Sequence, residues 1–392
     1  MSAGVDDVVD GLVGQARERT GLTDLGSDSW RDGLTRLVTS VEAYPNTQAT
    51  GRAQVYGQYV DALAVRLRVL DYLAGHPEVM SERVERPLVV LGLPRTGTTM
   101  ASHLLDQDPA RRSLLKWQAD EPVPPATTEN LRTDPRCLAR KATLAERLAE
   151  LRGLGAAIPH WDDADDPTED CFLQAHDFKS FLWESSMPTA DYSDWYLGAD
   201  VTSAYEYQRS ILQILQSTAP GIWALKLPSH AVHIDTLLEV FPDARIVWAH
   251  RDPFRATASF LSINKLSRPP VAGPDFDPAS VTPWVLRQLA AHVERPLLAR
   301  ERVGAGRFFD LHYDAVMRDP IGQMRDLYDW AGDTLTSETE DAMRKWLVDH
   351  PQNRFGPRPY SLDDFGVTRT DLEPLFDEYI SAVDVELEDV SA

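Results

Sequence analysis

Leu88-Val89-Val90-Leu91-Gly92-Leu93-Pro94-Arg95-Thr96-Gly97-Thr98-Thr99 is the stretch on which the fold is read. Its first four residues form a continuous apolar run bounded by Pro87 and Gly92. A strand buried on both faces has that signature, because neither face calls for polar side chains. The glycines at 92 and 97 have the spacing of the nucleotide-binding loop G-x-x-x-x-G-K-[ST]. Such a loop turns successive backbone N–H groups toward one point, at the positive end of the next helix. Small residues let anion oxygens approach the main chain, and the Thr98 and Thr99 hydroxyls add donors. The lysine of that motif is absent: Thr98 occupies its place, and the cation has moved to Arg95. The cradle therefore suits a nucleotide with a short 5′ anion and no metal.

Working outward, Ile222-Trp223-Ala224-Leu225-Lys226-Leu227 and Arg245-Ile246-Val247-Trp248-Ala249-His250 share the buried-strand signature, and Arg307-Phe308-Phe309-Asp310-Leu311 is a weaker candidate. Helical stretches are expected after each, at 233–241, 253–266 and near 322–330. Strands alternating with helices predict an α/β fold, a mostly parallel sheet flanked by helices on both faces. The first 80 residues read as a helical extension. Trp30, Leu34, Leu37, Val38 and Val41 draw one apolar stripe, and Val55, Tyr59, Leu63, Leu67 and Leu70 a second. Residues 81–392 are expected to form the α/β domain. Within it, 109–220 is a mainly helical insertion rich in aromatics and is expected to carry the acceptor site, and 352–366 is a long loop whose Pro and Gly are too dense for regular structure.

The hydrophobic fraction of 43% and charged fraction of 26% exclude wholesale disorder, a collagen-like chain and a membrane bundle. A formal charge of −22 argues against sequence-independent nucleic-acid binding, which needs a basic footprint. Cys137 and Cys171 are isolated and without metal-like spacing, so both read as reduced thiols. The acidic N-terminus lacks the pattern of a secretion signal, and no window approaches the roughly 18 apolar residues of a spanning helix. These features predict a cytoplasmic protein with no transmembrane segment and no nucleic-acid partner.

Pro94-Arg95-Thr96-Gly97-Thr98-Thr99 resembles the 5′-phosphosulfate-binding loop of sulfotransferases that use 3′-phosphoadenosine 5′-phosphosulfate (PAPS), where the pattern is Pro, Lys or Arg, Ser or Thr, Gly, Thr, Thr. A second block matches too. Arg251-Asp252-Pro253, with Ser259 eight residues after Arg251, is similar to the pair with which that family grips the 3′-phosphate. The resemblance extends from about Pro87 to Gly366. Trp223-Ala224-Leu225-Lys226-Leu227-Pro228-Ser229-His230 looks like the family strand that ends in a lysine with a histidine nearby. His312-Tyr313-Asp314-Ala315-Val316 resembles its Tyr-Glu-Asp-Leu segment. Asn353-Arg354-Phe355-Gly356-Pro357-Arg358-Pro359-Tyr360 resembles the C-terminal loop that covers the nucleotide in bacterial members.

The resemblance implies a P-loop-like fold, PAPS as cosubstrate without a metal, and metal-free in-line sulfuryl transfer to a hydroxyl or amine of a small or lipid-like acceptor. Donor binding is expected from Pro94, Arg95, Thr96, Gly97, Thr98 and Thr99, from Arg251 and Ser259, and from Arg354, Gly356 and Arg358. Arg95, and after it Lys226, are expected to stabilise charge on the leaving oxygen, since fixed cations act there. An alcohol must also lose a proton, and two histidines compete for that role. His230 follows a strand end close to Lys226, whereas His176-Asp177 lies in a helical run after Glu169 and Asp170. A nucleotide kinase or hydrolase of P-loop type and a non-catalytic nucleotide-binding protein are the alternatives.

Overall fold

A computed structural model describes residues 4–44, 49–153, 161–185, 187, 189–273, 275–351 and 362–388. Five parallel strands, β1 (Leu88–Gly92), β2 (Arg111–Ser113), β3 (Ile222–Lys226), β4 (Arg245–His250) and β5 (Phe308–His312), lie in the order β2-β3-β1-β4-β5. β1 is central, paired with β3 on one side and β4 on the other, and every one of its residues is buried. Its side chains alternate between two cores, as the pleat requires. Leu88 and Val90 join Val247, Leu311, Met324 and Leu327. Val89 and Leu91 join Leu225, Ile246 and Trp248 in the larger core. Helices cover both faces, so the expected architecture holds.

The short strand β2 corrects the sequence reading, which placed residues 109–220 in a helical insertion. Arg111, Arg112 and Ser113 give no strand signal, because an edge strand of two arginines lacks apolar character. Their burial comes from specific partners. Arg111 pairs with Asp333 at 2.6 Å and lies 4.9 Å from the Tyr328 ring centre, and Arg112 lies 5.0 Å from that of Trp223. The rest of the insertion is helical, with helices at Pro135–Gly153, Ala190–Gly198 and Thr202–Thr218 among others. Its aromatics largely fill core: Phe178 stacks on Trp183 at 5.4 Å, and Tyr59 meets Trp183 edge-on at 5.0 Å. Residues 352–361 of the expected C-terminal loop lie outside the described residues; Asp363–Phe365 forms a short 3-10 turn closed by Gly366. Among the described residues, no helix is long and apolar enough to cross a membrane.

The N-terminal helices α1 (Val5–Thr20), α2 (Ser29–Ala43) and α3 (Ala49–Gly75) share the larger core with the sheet. Both expected stripes turn inward, and only Leu70 is not fully buried. One buried carboxylate fastens these helices to the insertion. Asp177 accepts from Ser29 Oγ at 2.7 Å, from Arg66 Nη1 at 3.0 Å and from Ser203 Oγ at 2.5 Å. Gly33 seals the same contact, since a Cβ there would lie 2.3 Å from the Phe178 carbonyl oxygen.

Asp177→Ala leaves the buried Arg66 guanidinium without its counter-ion and should cost about 3–5 kcal/mol in denaturant unfolding; a loss below about 1 kcal/mol would show that the N-terminal helices dock without it. Burial also holds four histidines neutral, pushing His176 and His233 down to about 3 and His250 and His292 down to about 4. The unfolded chain then binds more protons below the ordinary histidine value of about 6.5, so stability is complete above that pH and drains away as pH falls toward 4. Glu184, pushed up to about 7 by burial, offsets part of the loss. The melting temperature should drop markedly between pH 7.5 and pH 5.0, and an unchanged value would contradict this charge arrangement.

Candidate active site

The glycine loop leaves the carboxyl end of β1 and enters helix α4 (Thr98–Leu105). Three residues take left-handed or otherwise positive φ: Gly92 at 140°, Arg95 at 74° and Gly97 at 90°. Gly92 is forced by space as well as conformation, because a Cβ would sit 2.4 Å from the Ala249 carbonyl oxygen of β4. At Gly97 a Cβ would come 3.0 Å from the Tyr313 ring. Thr96 is buried and donates its hydroxyl to the Leu93 carbonyl at 2.7 Å, so its side chain braces the loop. Thr98 and Thr99 open the first turn of α4, where the leading N–H groups have no intrahelical acceptor. Pro94 precedes the strained Arg95 and is half-buried.

The second motif meets the first. Arg95 Nε donates to Ser259 Oγ at 3.1 Å, and Arg251 Nη1 donates to the Arg95 carbonyl at 3.2 Å. The Arg251 guanidinium lies 4.1 Å from the Tyr313 ring centre. Local sequence explains the placement. Asp252 caps the helix Pro253–Ser267, its Oδ1 accepting from Phe254 and Arg255 N–H at 2.8 and 3.2 Å, and Pro253 fills the first helical position. Arg251 is thereby held at the strand end, with Ser259 on the following helix. Behind it, His250 contacts the Tyr379 hydroxyl and Asp310 Oδ1, each at 3.0 Å, and Arg300 grips Asp310 with two bonds of 2.8 and 2.7 Å. His250, Asp310, Arg300 and Tyr379 gave no motif to the sequence reading.

Lys226 ends β3 beside Val90 of β1 and is 1% exposed. Its ammonium donates to Glu169 Oε1 at 3.0 Å. Burial works against its charge, yet Glu169 and Asp162 outweigh that and hold its pKa above the ordinary lysine value. The residue after Glu169, Asp170, is fully buried and donates its backbone N–H to the Lys226 carbonyl at 3.2 Å. Burial pushes the Asp170 carboxyl up, against the hydrogen bond from His230.

Both candidate histidines are buried. His230 has no exposed surface, and both ring nitrogens are engaged, Nε2 with Asp170 Oδ2 and Nδ1 with the Tyr205 hydroxyl, each at 2.8 Å. His176 lies against Tyr207, 5.9 Å between ring centres, in the turn that carries the Asp177 lock. His230 presents no nitrogen at the surface, while His176 is 6% exposed with its Nδ1 buried. Glu169 is more open: its side chain is 29% exposed, with Oε1 on the Lys226 ammonium and Oε2 accepting from Cys171 Sγ at 3.8 Å. Arg354, Gly356 and Arg358 lie outside the described residues. Met100, beside the paired threonines, packs against the smaller core. Among the described residues no group of three or more His, Cys, Asp or Glu could hold a metal.

Comparison with known proteins bears on the family and the fold. The model of the sulfotransferase family matches residues 87–337. Two curated relatives, both named omega-hydroxy-beta-dihydromenaquinone-9 sulfotransferase Stf3, from Mycobacterium bovis and Mycobacterium tuberculosis, are 32% identical over 133 residues. That match spans 32% of this chain and 32% of theirs. Among solved structures, sulfotransferase STF9 from Mycobacterium avium is 50% identical, with a TM-score of 0.91 and 97% of each chain covered. Sulfotransferase STF1 from Mycobacterium tuberculosis is 28% identical with a TM-score of 0.84, over 94% of this chain and 98% of that one.

Proposed function

The chain belongs to the sulfotransferase family, and from that premise we propose that it moves a sulfuryl group from PAPS to a hydroxyl of a lipid-like small molecule. The meeting of Arg95, Ser259 and Arg251 at the ends of two neighbouring parallel strands carries the reading, because it gathers two separate anion-binding motifs at one place. An anion already rests there, since the Glu388 carboxylate accepts from Arg251 Nε and Nη2 at 2.6 and 3.1 Å. The donor supplies an activated sulfuryl group and a ribose 3′-phosphate. Arg251 and Ser259 are assigned to the phosphate, and Pro94 through Thr99 to the sulfonated end. The curated relatives are named for an omega-hydroxylated dihydromenaquinone, which supports an alcohol on a long apolar body as the acceptor class.

Each residue's part is set by its surroundings. Arg95 stays protonated throughout, so it offers fixed positive charge to oxygens that gain negative charge during transfer. Lys226, also held protonated, adds a second cation close to the strand ends. Glu169 takes the acceptor proton: it is the partly exposed carboxylate of the cluster, and Lys226 fixes its orientation. His230 and Asp170 are assigned to positioning, since their mutual hydrogen bond ties the turn after β3 to the segment carrying Glu169.

Thermal stabilisation by adenosine 3′,5′-bisphosphate should exceed that by ADP, with no need of Mg²⁺, because only the former offers a 3′-phosphate to Arg251. Equal shifts for the two nucleotides would remove the assignment of Arg251 and Ser259. Arg95→Ala should lower kcat by about a hundredfold, the usual consequence of losing one transition-state donor. Glu169→Gln should lower kcat about 10²–10⁴-fold with bisphosphate affinity intact. Full turnover in that variant would return the proton to another group.

A further inference from the structure

Glu388 lies against Arg251, and we propose that it is a specificity-determining residue for the donor, an internal carboxylate that a 3′-phosphate must displace. The inference rests on the assignment of Arg251 to that phosphate.

The segment after the helix Arg369–Ala382 is built to reach this point. Val383 and Val385 are buried in the larger core, and Asp384 between them adopts a left-handed turn at φ 51°. Val385 N–H donates to the Ile380 carbonyl at 3.1 Å. Three residues on, the Glu388 N–H donates to Asp252 Oδ2 at 2.9 Å, the carboxylate whose other oxygen caps the helix bearing Ser259. The Glu388 side chain then grips Arg251 with both oxygens. Arg251 is 15% exposed and Glu388 34%, so the pair sits at the rim of the site with a path for exchange.

A planar guanidinium offers Nε and Nη2 as one fork, and carboxylate and phosphate both fit that fork. The Arg251 Nη1 donor is committed to the Arg95 carbonyl. A phosphate approaching the fork therefore competes with a carboxylate that is tethered and, in effect, concentrated. A dianionic phosphate that also reaches the Ser259 hydroxyl has the charge and the second contact to win. A nucleotide without a 3′-phosphate does not reach the fork and leaves the strap of residues 383–388 in place. Displacing Glu388 thus lowers the apparent affinity for the true donor by the fraction of open strap, and ties opening to the group that marks the donor.

Isothermal titration of the full chain with adenosine 3′,5′-bisphosphate and with AMP separates the possibilities. Glu388→Gln, and a chain ending at Leu387, should each bind the bisphosphate about tenfold more tightly, the effect of removing one charge-assisted competitor, with AMP affinity unchanged. Arg251→Ala should abolish the gain when combined with Glu388→Gln. If Glu388→Gln leaves bisphosphate binding unchanged or weaker while Arg251→Ala impairs it, the strap is only a support for Arg251 and the proposal falls, with the donor assignment intact. If Arg251→Ala has no effect on the bisphosphate either, the donor assignment itself fails and takes the proposal with it. A gain shared equally by AMP would also overturn it, since the competition would not be with the 3′-phosphate.

Discussion

The pairing of Gly92 with Ala249 at the ends of β1 and β4 is the contact on which the site depends. No side chain larger than hydrogen fits at Gly92, because the Ala249 carbonyl oxygen occupies the space a Cβ would take. The two strands therefore finish side by side, and the loops leaving them are brought into contact. Arg95 comes three residues beyond one end and Arg251 directly after the other, which is why an Arg251-to-Arg95 bond forms across a long stretch of sequence. On the opposite side, the register of Val90 with Lys226 delivers the buried ammonium to the same edge. Parallel strands put all their carboxyl ends together, so this one geometric fact assembles cations from three separate segments.

Buried charge serves two ends here, and its surroundings tell them apart. Asp177 has hydroxyl partners and a guanidinium shared between its two oxygens and no exposed surface, so its negative charge is fully committed to holding α2 and α3 against the insertion. The Lys226–Glu169 pair is buried at one end only. A charge that still faces solvent can respond to a ligand, whereas a saturated one cannot without unfolding its neighbours. In a chain of formal charge −22, an anionic ligand is repelled at long range and must be held by such local cations. Salt screens that repulsion beyond about 8 Å, so short-range contacts such as those proposed for Arg95 and Arg251 are what an anion would have to rely on.

What could be read from the sequence was what is periodic or local. The apolar run of β1, the strand of β4, the glycine loop and the helix after β4 each write their structure in adjacent residues, and all fell in place. β2 escaped because its burial depends on Asp333, Tyr328 and Trp223, none of which is near it in the chain. The Asp177 lock and the Arg300–Asp310–His250–Tyr379 chain escaped for the same reason: each joins residues far apart, and no spacing announces them. Glu388 stands among other acidic residues near the C-terminus, where composition gives no hint that one of them finds an arginine. For the histidines the sequence supplies residue type and nearness to Lys226, whereas the burial and hydrogen bonding that set what each ring can do are not written in adjacent residues.

Glu169 and Asp170 show how far environment outweighs sequence. They are neighbours with the same acidic group, and the chain turns them in opposite senses. Asp170 is sealed in, bonded to His230, with its carboxyl pushed up by burial. That bond orients the imidazole through one nitrogen while Tyr205 holds the other, so the trio forms a fixed polar post under the turn after β3. The same backbone step that buries Asp170 leaves Glu169 facing outward on Lys226. The Lys226 ammonium holds Oε1 at 3.0 Å, the Cys171 thiol donates to Oε2 at 3.8 Å, and the group still keeps part of its surface toward solvent. Rigid support beneath, a partner that fixes direction, and access on one side are the conditions a proton acceptor needs. Adjacent carboxylates driven into unlike surroundings offer them at Glu169, the group proposed above to take the proton.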